Sequence, residues 1–440
     1  MVFSSLTFLY FLAVTCCLYY IVPGIKAKNG LLLIASLFFY AMGEPKYILL
    51  LLLSSVVNYF LARAIPKAGK IGLAIAILFN IGALVLFKYS GLGLRLPIGI
   101  SFYTFQALSY VMDVCRDETK VQKNYFTLLL YITFFPQLIA GPIVKYHDID
   151  SQLADRSFSL EKFTSGLRRF CFGLGKKVLI ANTLAVAVDG IYSLDGSLIS
   201  WKTAWVAAIF YALQIYYDFS GYSDMALGMG GMFGFTLKEN FAYPYGATSI
   251  KEFWRRWHIS LSTWFKEYLY IPLGGNRKGG ARTILNKYIV FFLTGLWHGA
   301  GVNFVIWGLI HGTFSVLEEK GNWIKKIKDS PIGWLYTMLV VVVAFVFFRC
   351  ETLSQSAAVI RAMFTFSAGS EGAATFIEYM DPFTIAMAVM GLILMFNWKR
   401  KMPEEGIPVK LSYIASLLLF MLSVMGLISG SYNPFIYFRF

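Results

Sequence analysis

The feature that most constrains the fold of this chain is its number of long apolar runs. Two of them, Tyr47 to Leu61 and Leu335 to Phe348, contain no charged side chain. The whole 440-residue chain is 58% hydrophobic and only 14% charged, whereas a soluble domain carries about 25% charged residues. Such runs are too apolar and too frequent for a soluble core, so the sequence predicts an all-α polytopic membrane protein embedded in a lipid bilayer.

Apolar runs of helical length predict about 11 to 13 transmembrane or re-entrant helices in one membrane domain, residues 1–440. The candidate spans are roughly 4–22, 30–42, 45–62, 71–88, 97–112, 124–141, 171–192, 202–219, 284–300, 302–318, 333–349, 382–398 and 411–429. Residues 220–283 differ, because glycine is dense in "GMGGMFGF" and the following stretch mixes charges with aromatic residues. Lipid cannot satisfy irregular backbone, so this segment is expected at an interface or lining a cavity.

The charge of the loops predicts the orientation of the chain. Residues 320–329 carry four Lys against one Asp, and residues 399–410 carry four Lys or Arg against two Glu. The intervening residues 367–381 carry two Glu, one Asp and no Lys or Arg. Because Lys and Arg collect in cytoplasmic loops, 320–329, 399–410 and 276–287 are expected inside. The N-terminus and the tail 430–440 are then expected on the extracytoplasmic side.

Composition also excludes several classes of function. The net charge of +15 does not indicate nucleic-acid binding, because the chain has no basic soluble domain to carry it. The five cysteines form no CxxC pair, and no histidine lies close to any of them in sequence. The histidines lack the short spacing of metal ligands, so no metal is expected. Neither a GxSxG elbow nor a P-loop occurs.

The histidines are the main candidates for chemistry. His298 lies in the apolar stretch "GLWHGAG", where an ionisable side chain usually faces a bundle interior or a wet cavity. A catalytic role and a structural hydrogen bond across helices are both compatible with this position. His258 follows Arg255 and Arg256 among tryptophans, which is typical either of a pocket for an anionic ligand or of an amphipathic cytoplasmic helix. His311 has the weaker case and is compatible with a polar contact between helices.

Two acidic residues lie beside an apolar span in "QIYYDFSGYSDMALG". Asp218 and Asp224 are six residues apart, so they do not share a helix face well and a catalytic acid pair is not supported. A cation site or pore is one interpretation, and polar residues that close a loop and line a cavity are the other.

Four long motifs resemble the membrane-bound O-acyltransferase (MBOAT) family, and most closely its bacterial alginate O-acetyltransferase branch. They are "FFPQLIAGPIVKY" (134–146), "YYDFSGYSDMALGMGGMFGF" (216–235), "NFAYPYGATSIKEFWRRWHISLSTWFKEYLYIPLGGNRKG" (240–279) and "LTGLWHGAGVNFVIWGLIHG" (293–312). The resemblance covers most of the chain and implies a multi-helix enzyme around a central tunnel in the bacterial cytoplasmic membrane. It also implies a cytoplasmic donor, expected to be acetyl-CoA, with no bound cofactor. The acceptor would be an extracytoplasmic polysaccharide, reached through an exported SGNH-type partner.

The resemblance assigns roles to individual residues. His298 matches the family's invariant histidine and is expected to act as general base. His258 matches a second polar position of the family and would orient the thioester or stabilise the oxyanion. The residues expected to bind substrate are Asp218, Ser220, Tyr222, Arg255, Arg256, Trp297 and Asn303.

The tail "PFIYFRF" (434–440) suggests a further role. Terminal tyrosine motifs recur among related acyltransferases and in the small partner of the D-alanyl transfer system, so the resemblance implies that Tyr437 is a transient acyl carrier. An aromatic anchor at the membrane interface is the alternative.

Two other functions remain open at this point. A relative within the family could transfer another acyl group, such as D-alanyl, to a cell-wall polymer. A membrane transporter would use the same polar residues to line a pathway, although the chain lacks the repeated halves that many transporters show.

Overall fold

The structure, a computed structural model, describes residues 1–366, 368, 376–396, 407–430 and 432–434, and every regular element in these residues is helical. The α-helices are α1 (Leu6–Ile21), α2 (Ile25–Gly43), α3 (Ile48–Tyr89), α4 (Ile100–Cys115), α5 (Tyr125–Thr133), α6 (Phe135–Leu138), α7 (Asp150–Ala154), α8 (Leu160–Gly175), α9 (Asn182–Tyr192), α10 (Trp201–Met232), α11 (Ile250–Arg256), α12 (Ile259–Phe265), α13 (Gly280–His298), α14 (Val302–Lys320), α15 (Trp323–Ile327), α16 (Pro331–Arg349), α17 (Leu353–Thr365), α18 (Pro382–Leu394) and α19 (Ile407–Ile428). Turns of π-helix follow α8 at Lys176–Ala181 and α12 at Lys266–Tyr270.

Within the described residues, five segments are long and apolar enough to cross a membrane. They are Ile25–Gly43, Ile48–Tyr89, Leu160–Tyr192, Pro331–Arg349 and Lys410–Ile428. The helices α1 and α18 are apolar but shorter, with 16 and 13 residues. Several helices of spanning length, with no strand among the residues that the structure describes, confirm the prediction of an all-α polytopic membrane protein.

The long helix α3 is a pair of helices folded back at Gly69. This glycine has φ 54° and ψ −130°, which is not helical. Asn58 Nδ2 donates to Asn80 Oδ1 at 3.1 Å, and Asn80 Nδ2 donates to Asn58 Oδ1 at 2.7 Å. In a straight helix, side chains so far apart in sequence would be about 30 Å apart. The two spans predicted at 45–62 and 71–88 are therefore confirmed as separate arms.

The prediction of one span over 124–141 is wrong. The helix α5 ends at Thr133, and the short helix α6 begins after Phe134, which has φ −51° and ψ 109°. Side chains satisfy the interrupted backbone: the Phe135 N–H donates to Ser36 Oγ at 3.1 Å, and Gln137 Nε2 donates to the Tyr131 carbonyl oxygen at 2.7 Å. Broken helices are stable in a membrane protein only where such partners exist.

The expectation of irregular backbone from residue 220 is also corrected. The helix α10 continues through the glycine-rich stretch to Met232. The glycines serve helix packing instead: a Cβ on Gly228 would lie 2.6 Å from the Gly166 carbonyl oxygen, and one on Gly166 would lie 2.5 Å from the Gly228 carbonyl oxygen. Only glycine permits the backbones of α8 and α10 to approach this closely.

The chain divides into two compact units. The first comprises Met1–Leu174, Tyr222–Glu239 and Ser416–Phe420, and the second comprises Gly175–Gly221, Asn240–Ala415 and Met421–Phe440. The first unit has an aromatic cluster in which the rings of Phe8 and Phe39 lie 5.7 Å apart and those of Phe39 and Phe135 lie 5.8 Å apart. The core of the second unit includes buried residues of α9, α10, α11, α14, α16 and α17, and it surrounds the candidate site.

Candidate active site

His298 is the last residue of α13, and two glycines hold this helix against α14. A Cβ on Gly295 would lie 2.4 Å from the Phe304 carbonyl oxygen, and one on Gly308 would lie 2.3 Å from the Phe291 carbonyl oxygen. Neither position accepts a larger residue without moving a backbone, which is the pattern of small residues at tightly packed membrane helices. The position of His298 is therefore fixed by the contact between the two helices.

Aromatic rings enclose the His298 imidazole. The residue is only 4% exposed. Its ring centroid lies 4.9 Å from that of Trp297, 5.1 Å from that of Trp307 and 5.0 Å from that of Phe348, all at steep angles. The prediction that this histidine faces a protein interior rather than lipid is confirmed.

His258 connects α11 to α12 in a strained backbone conformation. It has φ 42° and ψ 54° and is 1% exposed. A left-handed conformation is costly for a residue other than glycine and persists only where its surroundings impose it. Here Asn240 does so: its carbonyl oxygen accepts from the Ile259 N–H at 3.0 Å, and its Oδ1 accepts from the Ser260 N–H at 3.2 Å and from Ser260 Oγ at 2.8 Å.

Asn240 also determines the tautomer of His258. The Ser260 N–H and the Ser260 hydroxyl both donate to Asn240 Oδ1, so that atom is the amide oxygen. His258 Nδ1 lies 3.2 Å from this acceptor and 3.4 Å from Ser260 Oγ, an arrangement that favours a proton on Nδ1. His258 Nε2 then holds a lone pair, and it is buried without a hydrogen-bond partner among the described residues. Burial lowers the pKa of His258, so the ring is neutral and its Nε2 can accept a proton or a hydrogen bond.

Two tryptophans connect three histidines of the second unit. The Trp297 ring lies 5.9 Å from the His258 ring and 4.9 Å from the His298 ring. The Trp307 ring lies 5.1 Å from the His298 ring and 5.3 Å from the His311 ring. The sequence motifs of residues 240–279 and 293–312 therefore meet in one place, with Trp297 shared by the two candidate catalytic histidines.

Further buried polar atoms of this unit have no hydrogen-bond partner in the part of the chain that the structure describes. They include Ser220 Oγ, Asn303 Oδ1, Trp254 Nε1, Trp307 Nε1 and both ring nitrogens of His311. Ser220 follows Phe219, whose ring lies 4.6 Å from that of His258. Native proteins leave few buried polar groups unsatisfied, so this concentration is typical of a region that receives a polar ligand or water.

The two acidic residues of the α10 motif have different cationic partners. Asp218 Oδ1 lies 2.6 Å from Lys177 Nζ, and both side chains are almost fully buried. Asp224 Oδ1 lies 2.8 Å from Arg169 Nη2 in the first unit. Each carboxylate is thus engaged in its own ion pair, and Asp218 contributes a buried charge pair rather than an acid for catalysis.

The remaining predicted binding residues differ in their accessibility. The Tyr222 hydroxyl belongs to the first unit and lies 3.4 Å from Ser4 Oγ. Arg256 Nη2 is tied to Glu252 Oε1 at 2.5 Å. Arg255 is exposed and forms no ion pair with the described residues. Of the two arginines, Arg255 is therefore the one available to an anionic ligand.

The described part of the C-terminal tail is bonded to the second unit. Tyr432 Oη donates to Asp189 Oδ2 at 2.7 Å. Asn433 Oδ1 accepts from Asn182 Nδ2 at 3.1 Å. The Pro434 carbonyl oxygen accepts from Lys177 Nζ. The tail thus follows α9 towards the π-helical turn and the buried Lys177–Asp218 pair. Tyr437 lies outside the described residues.

A group with metal-ligand distances occurs in the first unit. Ligand atoms of Asp113, Glu118 and His147 lie within 4.8 Å of one another. However, His147 Nδ1 lies 2.8 Å from Asp113 Oδ2, and its Nε2 lies 3.3 Å from Asp148 Oδ1. Both ring nitrogens already face carboxylates, so an ion pair accounts for this cluster.

Sequence reasoning missed three residues that shape the site. Asn240 fixes the backbone and tautomer of His258, Trp307 joins His298 to His311, and Lys177 neutralises Asp218. Asn240 lies in the quoted motif 240–279, but the residues between it and His258 do not form one continuous helix, so their spacing does not indicate a contact. Lys177 lies within an apolar run, where a charge is expensive and therefore implies a buried partner.

Comparisons with known proteins agree with this architecture. The MBOAT (membrane-bound O-acyltransferase family) model matches residues 47–354. The chain is 38% identical to "Probable alginate O-acetylase AlgI" of Pseudomonas putida over the full length of both chains. It is 38% identical to "Peptidoglycan O-acetyltransferase" of Helicobacter pylori over 78% of this chain and 76% of the relative. It is 28% identical to "Teichoic acid D-alanyltransferase" of Bacillus subtilis over 57% of this chain and 66% of the relative. The chain therefore belongs to the membrane-bound O-acyltransferase family and is a multi-pass membrane O-acyltransferase.

Proposed function

We propose that this enzyme moves an acetyl group from cytoplasmic acetyl-CoA to an extracytoplasmic polysaccharide of the bacterial envelope. The relatives that align over most of the chain are named as acetyl-transferring enzymes, of alginate in one case and of peptidoglycan in another. The D-alanyl-transferring relative is less similar and aligns over a shorter part. This difference favours acetyl over D-alanyl as the transferred group.

The observation that carries the proposal is the pair of buried histidines that share the Trp297 ring. An acyl transfer to a hydroxyl needs a group that removes the hydroxyl proton as the oxygen attacks. His298 and His258 are both buried, and the lone pair of His258 Nε2 has no partner among the described residues. Two buried imidazoles that share one aromatic neighbour are suited to accepting that proton and holding the reacting groups.

The reaction proceeds by attack of the acceptor oxygen on the thioester carbonyl carbon. His298 takes the hydroxyl proton as the new C–O bond forms, and the carbonyl oxygen becomes an oxyanion. When this intermediate collapses, the C–S bond breaks and the CoA thiolate leaves. The imidazolium returns the proton to that sulfur, so the products are an acetyl ester and free CoA.

The role of His258 follows from its tautomer. A neutral ring that carries its proton on Nδ1 cannot donate from Nε2 to an oxyanion. Among the roles that the family resemblance implies, orientation of the thioester donor fits this geometry best. The thioester group has no hydrogen to donate, so His258 Nε2 would accept from an amide N–H of the CoA arm that carries it. Donation to the oxyanion would require a protonated ring, which burial disfavours.

The donor would dock on the basic segment 251–278. CoA carries several phosphate charges, and guanidinium groups bind phosphate with paired hydrogen bonds. Arg255 is exposed and without an ion pair among the described residues, whereas Arg256 is held by Glu252. We therefore assign phosphate binding first to Arg255.

The tail would carry the acetyl group outward. In this step the Tyr437 hydroxyl attacks the thioester carbonyl carbon while its proton passes to His298. The C–S bond then breaks, CoA leaves as the thiol with that proton, and a phenol ester remains on the tail. A serine of an exported SGNH-type partner would then attack that ester, release the phenol and pass the acetyl group to the polymer. The order of contacts from Tyr432 to Pro434, directed towards the buried Lys177, supports a tail that enters the second unit.

The proposal is tested with the purified full-length protein in membrane vesicles and acetyl-CoA labelled in the acetyl group. His298→Ala should abolish release of free CoA and labelling of the protein. His147→Gln serves as a control, because this histidine is bonded to Asp113 and Asp148 in the first unit. Undiminished acetyl transfer by a folded His298→Ala variant would contradict the assignment.

The relay is tested separately from the first transfer. Tyr437→Phe keeps the aromatic ring and removes the hydroxyl, so the label should no longer reach the tail or the polymer. Tyr10→Phe makes the same change at a ring that is 74% exposed on α1 and should behave as wild type. Normal polymer acetylation by Tyr437→Phe would exclude the tail as carrier while leaving His298 as the base for direct transfer.

A further inference from the structure

The first unit contains a basic cavity that takes no part in the chemistry described above. It has a volume of about 130 Å³ and lies at the start of α2, next to the segment that precedes α8. Its lining residues are Tyr19, Gly24, Ile25, Lys28, Arg156, Ser157, Phe158, Phe233 and Gly234, with no acidic side chain among them.

Three cations surround this cavity without a carboxylate to neutralise them. Lys28 Nζ lies over the rings of Tyr19 and Tyr20, at 4.9 and 5.7 Å. Lys162 Nζ donates to the carbonyl oxygen of Gly234, a lining residue, at 2.7 Å. None of Lys28, Arg156 and Lys162 forms an ion pair with any residue that the structure describes. Their charges repel one another, so a ligand with negative charge would stabilise the arrangement.

Arg156 is held in a fixed position by neutral acceptors. Its Nε donates to the Tyr19 hydroxyl at 3.1 Å and to the Phe233 carbonyl oxygen at 3.0 Å, and its Nη1 donates to Asn29 Oδ1 at 2.8 Å. Its Nη2 is buried and has no hydrogen-bond partner in the described chain. A guanidinium has five N–H donors and matches the geometry of phosphate oxygens. The side chain is therefore preorganised to donate from Nη2.

The N-terminal end of α2 adds to the positive potential of the cavity. Gly24 is the N-cap of this 19-residue helix and provides no side-chain hydrogen bond to its first N–H groups. Both Gly24 and Ile25 line the cavity. Uncapped N–H groups and the positive end of a helix dipole favour an anion, and here they coincide with the fixed guanidinium and the Lys28 ammonium.

We propose that this cavity binds the phosphate group of an anionic ester. Phosphate oxygens would accept from Arg156 Nη2, from Lys28 Nζ and from the first N–H groups of α2. The rim is aromatic: the Phe158 ring is 4.8 Å from that of Tyr20, and its side chain is 51% exposed. Aromatic and cationic side chains occur together at the level of lipid headgroups. The phosphate can thus come from an anionic phospholipid or from a soluble phosphate.

The test compares two lysines on the same helix. Lys28→Gln removes a charge that lines the cavity, whereas Lys26→Gln removes an equal charge from an exposed position that does not. The full-length protein in detergent is titrated with phosphatidylglycerol, with phosphatidylcholine and with inorganic phosphate. Bound molecules are counted by native mass spectrometry, and the midpoint of thermal unfolding is recorded at each concentration.

Wild type and Lys26→Gln should bind one phosphatidylglycerol or phosphate and unfold at a higher temperature. Lys28→Gln should bind the same probe about fivefold more weakly, since one lysine near a headgroup contributes on the order of 1 kcal/mol. A phosphatidylglycerol effect without a phosphate effect identifies a lipid source, and an equal effect of phosphate identifies a soluble one. Equal binding by the two variants, or equal binding of phosphatidylcholine and phosphatidylglycerol with no phosphate effect, would overturn the proposal.

Discussion

At the scale of single residues, the clearest prediction concerns Asn240, whose side-chain amide sets the tautomer of His258. Asn240→Ala removes the acceptor for His258 Nδ1 and for Ser260. Acetyl transfer should fall roughly tenfold, in line with the loss of a buried hydrogen bond. Asn240→Asp keeps the acceptor but adds a negative charge next to Nδ1, which raises the pKa of the imidazole.

This pair of variants separates a positioning role from a purely structural one. Because the proposed role of His258 uses the neutral ring, the acidic limb of the pH–rate profile should move to higher pH in Asn240→Asp, with activity retained on the alkaline side. The measurement is the rate of CoA release from acetyl-CoA across the pH range. An unchanged profile in Asn240→Asp, together with a fully active Asn240→Ala, would show that this tautomer is irrelevant to transfer.

His147 provides a pH-dependent contribution to stability. Its hydrogen bonds, first to Asp113 and then to Asp148, raise its pKa from 6.5 to about 9. A raised pKa means that the folded protein binds the proton more tightly than the unfolded chain. The stabilisation is therefore fully present below pH 6.5 and is lost as the pH rises through about 9.

The corresponding variant is His147→Gln. Its midpoint of thermal unfolding should lie below that of wild type at mildly acidic pH, and the difference should shrink steadily as the pH approaches the folded-state pKa. The measurement is thermal unfolding in detergent at a series of pH values. A difference that is constant with pH would mean that packing, rather than the charge of the imidazole, accounts for the effect.

At the scale of helices, the contact of α13 with α14 controls the position of His298. Gly295→Ala would place a Cβ against the Phe304 carbonyl oxygen and force the helices apart. Both the unfolding temperature and acetyl transfer should fall, because His298 lies one turn further along the same helix. Gly280→Ala is the matched control: a Cβ there meets nothing within 4 Å, and alanine is the better helix former.

The two glycine variants should therefore have different effects on the stability and the activity of the protein. Gly280→Ala is expected to be neutral or slightly stabilising with normal activity, while Gly295→Ala loses stability and activity together. Thermal unfolding and the labelled acetyl-CoA assay measure the two quantities. If Gly295→Ala were as stable and active as Gly280→Ala, the close approach of the two helices would not be what positions His298.

The sequence predicted the helices that follow from long hydrophobic runs. It did not predict where a helix is interrupted, because distant side chains supply the hydrogen bonds that the interrupted backbone loses. The arms of α3 and the apolar α16 follow directly from long apolar runs. The interruption at Phe134 depends on Ser36 Oγ, a partner distant in sequence. The continuation of α10 to Met232 depends on its contact with Gly166. Such pairings are set by tertiary packing, which local composition does not encode.

At the scale of the whole molecule, the candidate site was predictable in its main residues but not in its geometry. A histidine in an apolar run is expensive enough to indicate His298, whereas His258 is indicated by its neighbouring arginines and tryptophans and by the family motif that contains it. Neither pattern predicts that Asn240 holds His258 in a left-handed conformation. A lysine in an apolar run implies a buried partner, but the sequence does not indicate that the partner of Lys177 is Asp218, since an ion pair between distant positions leaves no periodic signal.

The proposed relay also requires a particular orientation of the chain in the membrane. Because basic loops are retained in the cytoplasm, Lys326 should lie inside, and Glu378 and Ser429, which directly follows α19, should lie outside. All three side chains are exposed, so each accepts a cysteine in a variant that lacks the five native ones. A membrane-impermeant maleimide should label Glu378→Cys and Ser429→Cys in intact cells, and Lys326→Cys only after permeabilisation.

The side of the membrane on which Ser429 lies determines whether the tail can carry an acetyl group outward. With Ser429 outside, the tail enters from the side of the exported partner and meets a donor that arrives from the opposite, cytoplasmic side. An acetyl ester formed on Tyr437 then needs only withdrawal of the tail to reach the acceptor. If Ser429→Cys were labelled only after permeabilisation, tail and acetyl-CoA would share one side. Tyr437 could then carry nothing outward, and acceptor hydroxyls would have to reach His298 directly.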